Sequence, residues 1–219
     1  MVSIILRNKN ESEYIGFTLQ SICDYIPDAE VIVMDNNSTD DSLSVVSLFN
    51  DRLNISVINI NNYTPGKSIN AAVKICSNET ILVLSAHSQI TDMDLPYVVK
   101  ELKTHAAVFG NQTPIYRGKK ISKRYIWSHF TTSSKVNMWS EIEDRPFLHN
   151  AFCFYNKLDL VNKPFDETYS AKEDRYWAAD ILSNKKSYLY TPVIGVNHYY
   201  TTNENISYRW CGFCWHQSY

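Results

Sequence analysis

No apolar run in this sequence approaches the roughly 18 residues needed to cross a bilayer. Neither sign of charge is in excess. The 21 Lys and Arg stand against 23 Asp and Glu, a formal net charge of −2, which gives no basis for bulk electrostatic binding to nucleic acid or to an anionic membrane. Internal repeats and low-complexity linkers are absent, which argues for one two-lobed domain over 1–219, divided near residue 110. The phosphate-binding pattern G-x-x-x-x-G-K does not occur. A glycine-rich signature is also missing after the first strand-like run, in "LRNKNESE", where a nucleotidyltransferase on a related α/β fold would carry one. Paired cysteines are scarce. Cys23, Cys76, Cys153, Cys211 and Cys214 are odd in number and irregular in spacing, as reduced thiols of a cytosolic protein would be. "CGFCWH" holds a single CxxC, which is weak evidence for zinc without a second pair. Apolar packing beside Trp210 and Trp215 is the simpler reading. The start, "MVSIILRNKNESEY", carries charge within seven residues and no small-residue cleavage site. It reads as a first strand and not as a signal peptide, so the expected setting is the cytoplasm, with at most peripheral membrane contact.

What is present is a chain of 219 residues, 44% hydrophobic, enough for a real core. Its first half alternates two patterns. Residues 2–7, 29–35, 54–60 and 80–86 are apolar runs rich in Val and Ile. Between them lie stretches with helical spacing, such as Ile15, Leu19, Ile22 and Ile26, then Leu43, Val46 and Leu48 behind the capping candidates Ser38 and Asp40, then 66–76. A further helix is expected over 94–103, capped by Asp92 or Asp94. Continuous apolar strands joined by helices imply a Rossmann-like, mostly parallel sheet with helices on both faces. Ligands of such sheets bind beyond the carboxyl ends of the strands. Those ends are Arg7-Asn8, Asp35-Asn36-Asn37-Ser38, Asn61-Asn62-Tyr63 and Ser85-Ala86-His87.

The second half is less regular. Residues 106–115, 148–156 and 187–200 read as strands, and 172–183 as a helix with Trp177, Ile181 and Leu182 inward. Arg117, Lys119, Lys120, Lys123 and Arg124 form a basic cluster best read as a solvated loop.

Four segments, "SIILRNKNESEYIGFTLQSI", "VIVMDNNSTDDS", "TPGKSINAAVKICSNETILVLSAHSQI" and "AKEDRYW", occur in this order. Together they resemble the family 2 glycosyltransferases over about residues 2–200. The resemblance implies the nucleotide-diphosphosugar (GT-A) fold, with a smaller, mixed acceptor-side lobe formed by Trp127, Trp139, Phe147, Phe152 and Tyr155. It implies an inverting sugar transfer from a nucleotide-diphosphate sugar, UDP or dTDP first, to a saccharide or lipid-linked acceptor. A non-catalytic nucleotide-sugar binder is the alternative. Leu6, Arg7, Asn8 and Glu11 would surround base and ribose, and Asp35, with Asn37 beside it, would accept from a pyrimidine N–H. The competing reading of Asp35 is a turn that caps the next helix. Gly66 and Lys67 would lie near the phosphates, Asn70 near the uracil or at a helix contact, and Ser85, Ala86 and His87 at the diphosphate. Asp174 is the expected base and Glu173 the reserve; helix-dipole pairing is the plain alternative.

The family usually carries Asp-x-Asp where this chain has Ser85-Ala86-His87. Hard Mg²⁺ prefers oxygen ligands. Three readings stay open: His87 with His198 holds Mn²⁺ or a similar ion; no metal is used and His87, Lys67 and a basic residue of 117–124 hold the diphosphate; or catalysis is lost.

Overall fold

Strand β1 (Val2–Asn8) lies between β2 (Glu30–Asp35) and β4 (Thr80–Ser85), parallel to both, and β3 (Asn54–Asn59) extends the parallel set beyond β2. The computed structural model describes residues 1–123 and 125–201. Helices α1 (Ile15–Tyr25), α2 (Ser42–Ser47) and α3 (Pro65–Val73) connect these strands. After β4 come β5 (Ser88–Asp92), α4 (Leu95–Glu101), β6 (Ala107–Tyr116) and β7 (Lys119–Lys120). A 3-10 turn (Tyr125–His129) and the short strands β8 (Lys135–Val136), β9 (Trp139–Ser140) and β10 (Arg145–Pro146) follow. The described chain closes with β11 (Phe152–Asn156), α5 (Lys157–Asn162), α6 (Glu173–Ser183) and β12 (Tyr188–Tyr199). The main sheet runs β3-β2-β1-β4-β11-β6-β12-β5, with β7 on β6 and β8 on β12, while β9 and β10 pair separately. β11 is antiparallel to both neighbours, and β5 is antiparallel to β12.

The interiors of the central strands are largely apolar because both faces are covered. Ile5, Ile32, Met34, Ile81 and Val83 face one core cluster with α3 and α6. Ile4, Leu6, Val31, Val33, Leu82 and Leu84 face the other, with α1 and α4. This period-2 split between two cores is what a doubly covered sheet requires. Helix α1 has no side-chain cap bond but buries Ile15, Leu19 and Ile22. Each such burial contributes about 1.5–3 kcal/mol, more than the ~1 kcal/mol of a cap, so packing holds this helix.

Several expectations need correcting. β3 is an exposed edge, with Val57 49% exposed, and not a buried strand. Ser38 does not cap α2: its backbone N–H and hydroxyl both donate to the Asp35 carboxylate, and α2 starts only after Asp41. The chain does not pass straight from β4 to a helix. Ala86 and His87 form a turn into β5, whose partner β12 lies about a hundred residues onward. Trp127, Phe147, Phe152 and Tyr155 are core residues and not an acceptor surface; of that set only Trp139, 47% exposed, is available. Lys123 is not merely solvated, since its Nζ donates to Asn111 Oδ1 and the Phe130 carbonyl. Arg124, Cys211 and Cys214 with their flanking tryptophans lie outside the described residues.

Candidate functional site

The carboxyl ends of β1 and β4 and the first turn of α6 open onto one cleft of about 600 Å³. In parallel strands these ends point the same way, so the sheet gathers residues distant in sequence. Arg7 and Ser85 are register partners across β1 and β4. Both line the cleft, with Asn8, Glu11, His87, His149, Asn150, Glu173, Asp174, Arg175 and His198.

A buried charge network forms the floor. Arg7 Nη1 lies 3.3 Å from Glu173 Oε1, and Nη2 donates to Ser85 Oγ at 3.3 Å and to the Asn150 carbonyl at 3.2 Å. Asn150 Nδ2 also donates to Glu173 Oε1, at 3.0 Å. Asp174 is held from three sides: Oδ1 accepts from the Arg175 N–H at 2.9 Å, and Oδ2 accepts from the Asn150 N–H at 2.9 Å and from Arg175 Nη1 at 2.8 Å. Arg175 is paired further with Glu143. Burial, with the Asp174 carboxylate alongside, pushes the Glu173 proton affinity above the ordinary glutamate value against the pull of Arg7. Lys172, just before this pair, has left-handed backbone, φ 62°.

Three imidazoles stand beside the network. His87 Nδ1 is 2.9 Å from Glu11 Oε1, and His198 Nδ1 is 2.9 Å from Gln112 Oε1. Because those oxygens accept, both Nδ1 atoms carry a proton. The ring centroids of His87 and His198 are 4.8 Å apart. His149 is the opposite tautomer: its Nδ1 accepts from Gln112 Nε2 at 3.2 Å and from the Ala151 N–H at 3.3 Å. Burial, then neighbouring Arg175 and Arg7, keeps His149 well below the ordinary histidine range. Burial, then His87 and His149, does the same to His198.

Other expected site residues lie away from the cleft lining. Leu6 and Ala86 are core, both 0% exposed. Asp35 is buried, and its oxygens take Asn8 Nδ2, the Ser38 hydroxyl and the Ser38 N–H. Its neighbour Asn36 lines the cleft, while Asn37 donates to the Ile60 carbonyl. Gly66 meets the backbone of Asp166, and Lys67 Nζ donates to the carbonyls of Asn61 and Asn62. Asn70 clasps Phe165 in both directions, at 2.8 and 3.0 Å. This segment therefore docks the loop that leads to α6. Sequence reasoning missed His149, Asn150, Gln112 and Arg175. The polar pair His149-Asn150 directly before an apolar run was the available signal for the first two. Gln112, inside a strand, offered none.

The donor set does not fit a divalent metal. Ser85 Oγ is engaged by a guanidinium, and His149 Nδ1 is occupied. That leaves two imidazoles, and among the described residues no group of three or more His, Cys, Asp or Glu comes together to hold an ion.

Residues 3–163 match the family model "Glycosyl transferase family 2". The poly(ribitol-phosphate) beta-N-acetylglucosaminyltransferase TarS of Staphylococcus aureus is 31% identical over 112 residues, which cover 49% of this chain and 18% of that protein. The chain thus spans under a fifth of the curated relatives it matches. Among solved structures, TarS residues 1–349 with UDP-GlcNAc superimposes with TM-score 0.70 at 20% identity, over 94% of this chain and 60% of that one. The mannosyltransferase PcManGT of Pyrobaculum calidifontis, with GDP-Man and Mn²⁺, gives 0.69 at 17% identity, over 95% and 59%. GalNAc-T7, with UDP, GalNAc and Mn²⁺, gives 0.70 at 13% identity, over 93% and 44%. At these identities the likeness is one of fold: a central, largely parallel sheet flanked by helices, as expected for GT-A.

Proposed function

The chain belongs to glycosyl transferase family 2, and on that footing we propose that it moves a sugar, with inversion, from a nucleotide-diphosphate donor to a hydroxyl of a saccharide or lipid-linked acceptor in surface-polysaccharide assembly. One observation carries the reading: the Glu173–Asp174 carboxylates open onto the same cleft as the ends of β1 and β4. In an inverting transfer the acceptor oxygen bonds to the anomeric carbon as the bond from that carbon to the phosphate oxygen breaks. The nucleoside diphosphate leaves with the bonding electrons, and the acceptor proton passes to a base on the opposite face. Asp174 takes that role. Arg175 and the Asn150 N–H fix its orientation, and a carboxylate has about four acceptor sites, of which three are used. Arg7 and Asn150 position Glu173. A second reading, with Glu173 as base, is favoured by its Oε2, which takes neither Arg7 nor Asn150, and by its raised proton affinity.

The donor is a UDP- or dTDP-sugar. Relatives were solved with UDP-GlcNAc and with GDP-Man, so a thermal-shift series over UDP-, dTDP-, GDP- and CMP-sugars identifies it. Release of nucleoside diphosphate from the stabilising donor, accelerated by acceptor glycans, is the expected result. Stabilisation with no turnover under any acceptor would leave only a binding protein.

A further inference from the structure

We propose that Arg7, and not a divalent cation, supplies the fixed positive charge that holds the donor's diphosphate in this chain. The inference rests on the sugar-transfer reading and deepens it. The register places Arg7 directly beside Ser85, at the end of β4. Its guanidinium donates to Ser85 Oγ at 3.3 Å, so that hydroxyl is already engaged by a cationic group. A divalent ion there would face a like charge, with one engaged hydroxyl and two imidazoles as its ligands. The guanidinium has capacity to spare. Its Nη contacts are all long, 3.2–3.3 Å, only one of them is to a charged group, and its buried Nε has no hydrogen-bond partner. A planar fork of five N–H donors matches phosphate oxygens in pairs. Its side chain is 15% exposed, so solvent screens it little while the cleft still reaches it.

The test compares UDP with uridine by calorimetry, with dTDP, GDP and CDP and their nucleosides in parallel, in EDTA and in Mn²⁺. For wild type in EDTA, the diphosphate is expected to bind about tenfold or more tighter than its nucleoside. Adding Mn²⁺ should change that ratio less than about twofold, and electron paramagnetic resonance should count no Mn²⁺ taken up with the nucleotide. In Arg7→Met the diphosphate advantage is lost while nucleoside affinity stays, a split that loss of structure would not produce; Arg7→Lys retains part of it. A diphosphate advantage that appears only with Mn²⁺, or that survives Arg7→Met, overturns the inference and leaves sugar transfer standing. If the variant does not fold, the wild-type comparison with and without Mn²⁺ decides. If no nucleotide binds at all, sugar transfer fails together with it.

Discussion

Replacing Asp174 with asparagine keeps the side chain's shape and removes one accepting oxygen. In wild type Oδ1 takes the Arg175 N–H, and Oδ2 takes the Asn150 N–H and Arg175 Nη1. If the amide oxygen sits at Oδ2, two bonds survive and the NH₂ faces the Arg175 N–H, donor against donor. The opposite flip loses two bonds. The better orientation still forfeits one bond to a charged group and leaves Arg175 paired only with Glu143 at 3.6 Å. A hydrogen bond involving a charged group contributes about 1.5–3 kcal/mol, so Asp174→Asn should cost about 2–3 kcal/mol. Glu173→Gln differs. Both its bonds converge on Oε1, so the amide oxygen keeps them and the NH₂ takes the other position. Its cost should be smaller than that of Asp174→Asn, because no hydrogen bond is lost and only the charge opposite Arg7 is removed. Urea denaturation monitored by tryptophan fluorescence, with equal m-values, reads both costs. Nucleoside diphosphate release reads catalysis, and loss of the base should cost about a hundred- to ten-thousandfold. Asp174→Asn with wild-type stability would refute the network geometry. Full activity in that variant would refute Asp174 as base, and a comparable loss confined to Glu173→Gln would move the role to Glu173.

Gly66→Ala should destabilise by about 1–3 kcal/mol through overpacking, because a Cβ there would lie 2.6 Å from the Asp166 carbonyl oxygen; an unchanged urea midpoint would contradict that contact. Acid should weaken the fold through His149 and His198, whose folded-state proton affinities are lowered by burial. The unfolded chain then binds more protons below about pH 6.5, so stability is complete above that value and falls with pH by up to about 1.4 kcal/mol per unit for each histidine. Midpoints that do not change between pH 7.5 and 5 would show these rings to be freely protonated. Burial pushes the Cys76 thiol up to about 12 and the Cys153 thiol well above its ordinary value. Peptide mapping after iodoacetamide at pH 8 should find both unmodified until urea is added, since the thiolate is the reacting form.

The central strands were legible because burial on both faces leaves mostly apolar residues in β1, β2 and β4, with polar ones at their ends apart from Ser3. α1 was legible because Ile15, Leu19 and Ile22 repeat at the helical interval. β5 was not, since its five residues, Ser88–Asp92, hold a single apolar side chain, Ile90, and its pairing to β12 is settled only by the complete sheet. The same divide runs through the cleft. Arg7, Asn8, Ser85 and His87 follow strands whose ends must converge. Asn150 and Arg175 arrive through contacts that no local pattern encodes. Asn70 is a mixed case: the resemblance left it near the uracil or at a helix contact, and its amide reaches 95 residues onward to Phe165.

The position of β11 between β4 and β6 has a practical side. A chain cut near residue 110 would fall inside β6 and would part β4 and the first residues of β6 from β11, leaving β4 with a bare, apolar edge of unpaired N–H and C=O groups. Such fragments are expected to aggregate when made singly and to recover a nucleotide-responsive fold only when co-expressed. Anyone recombining this cleft with another acceptor-side segment would therefore have to exchange residues on either side of β11 and leave the strand in place.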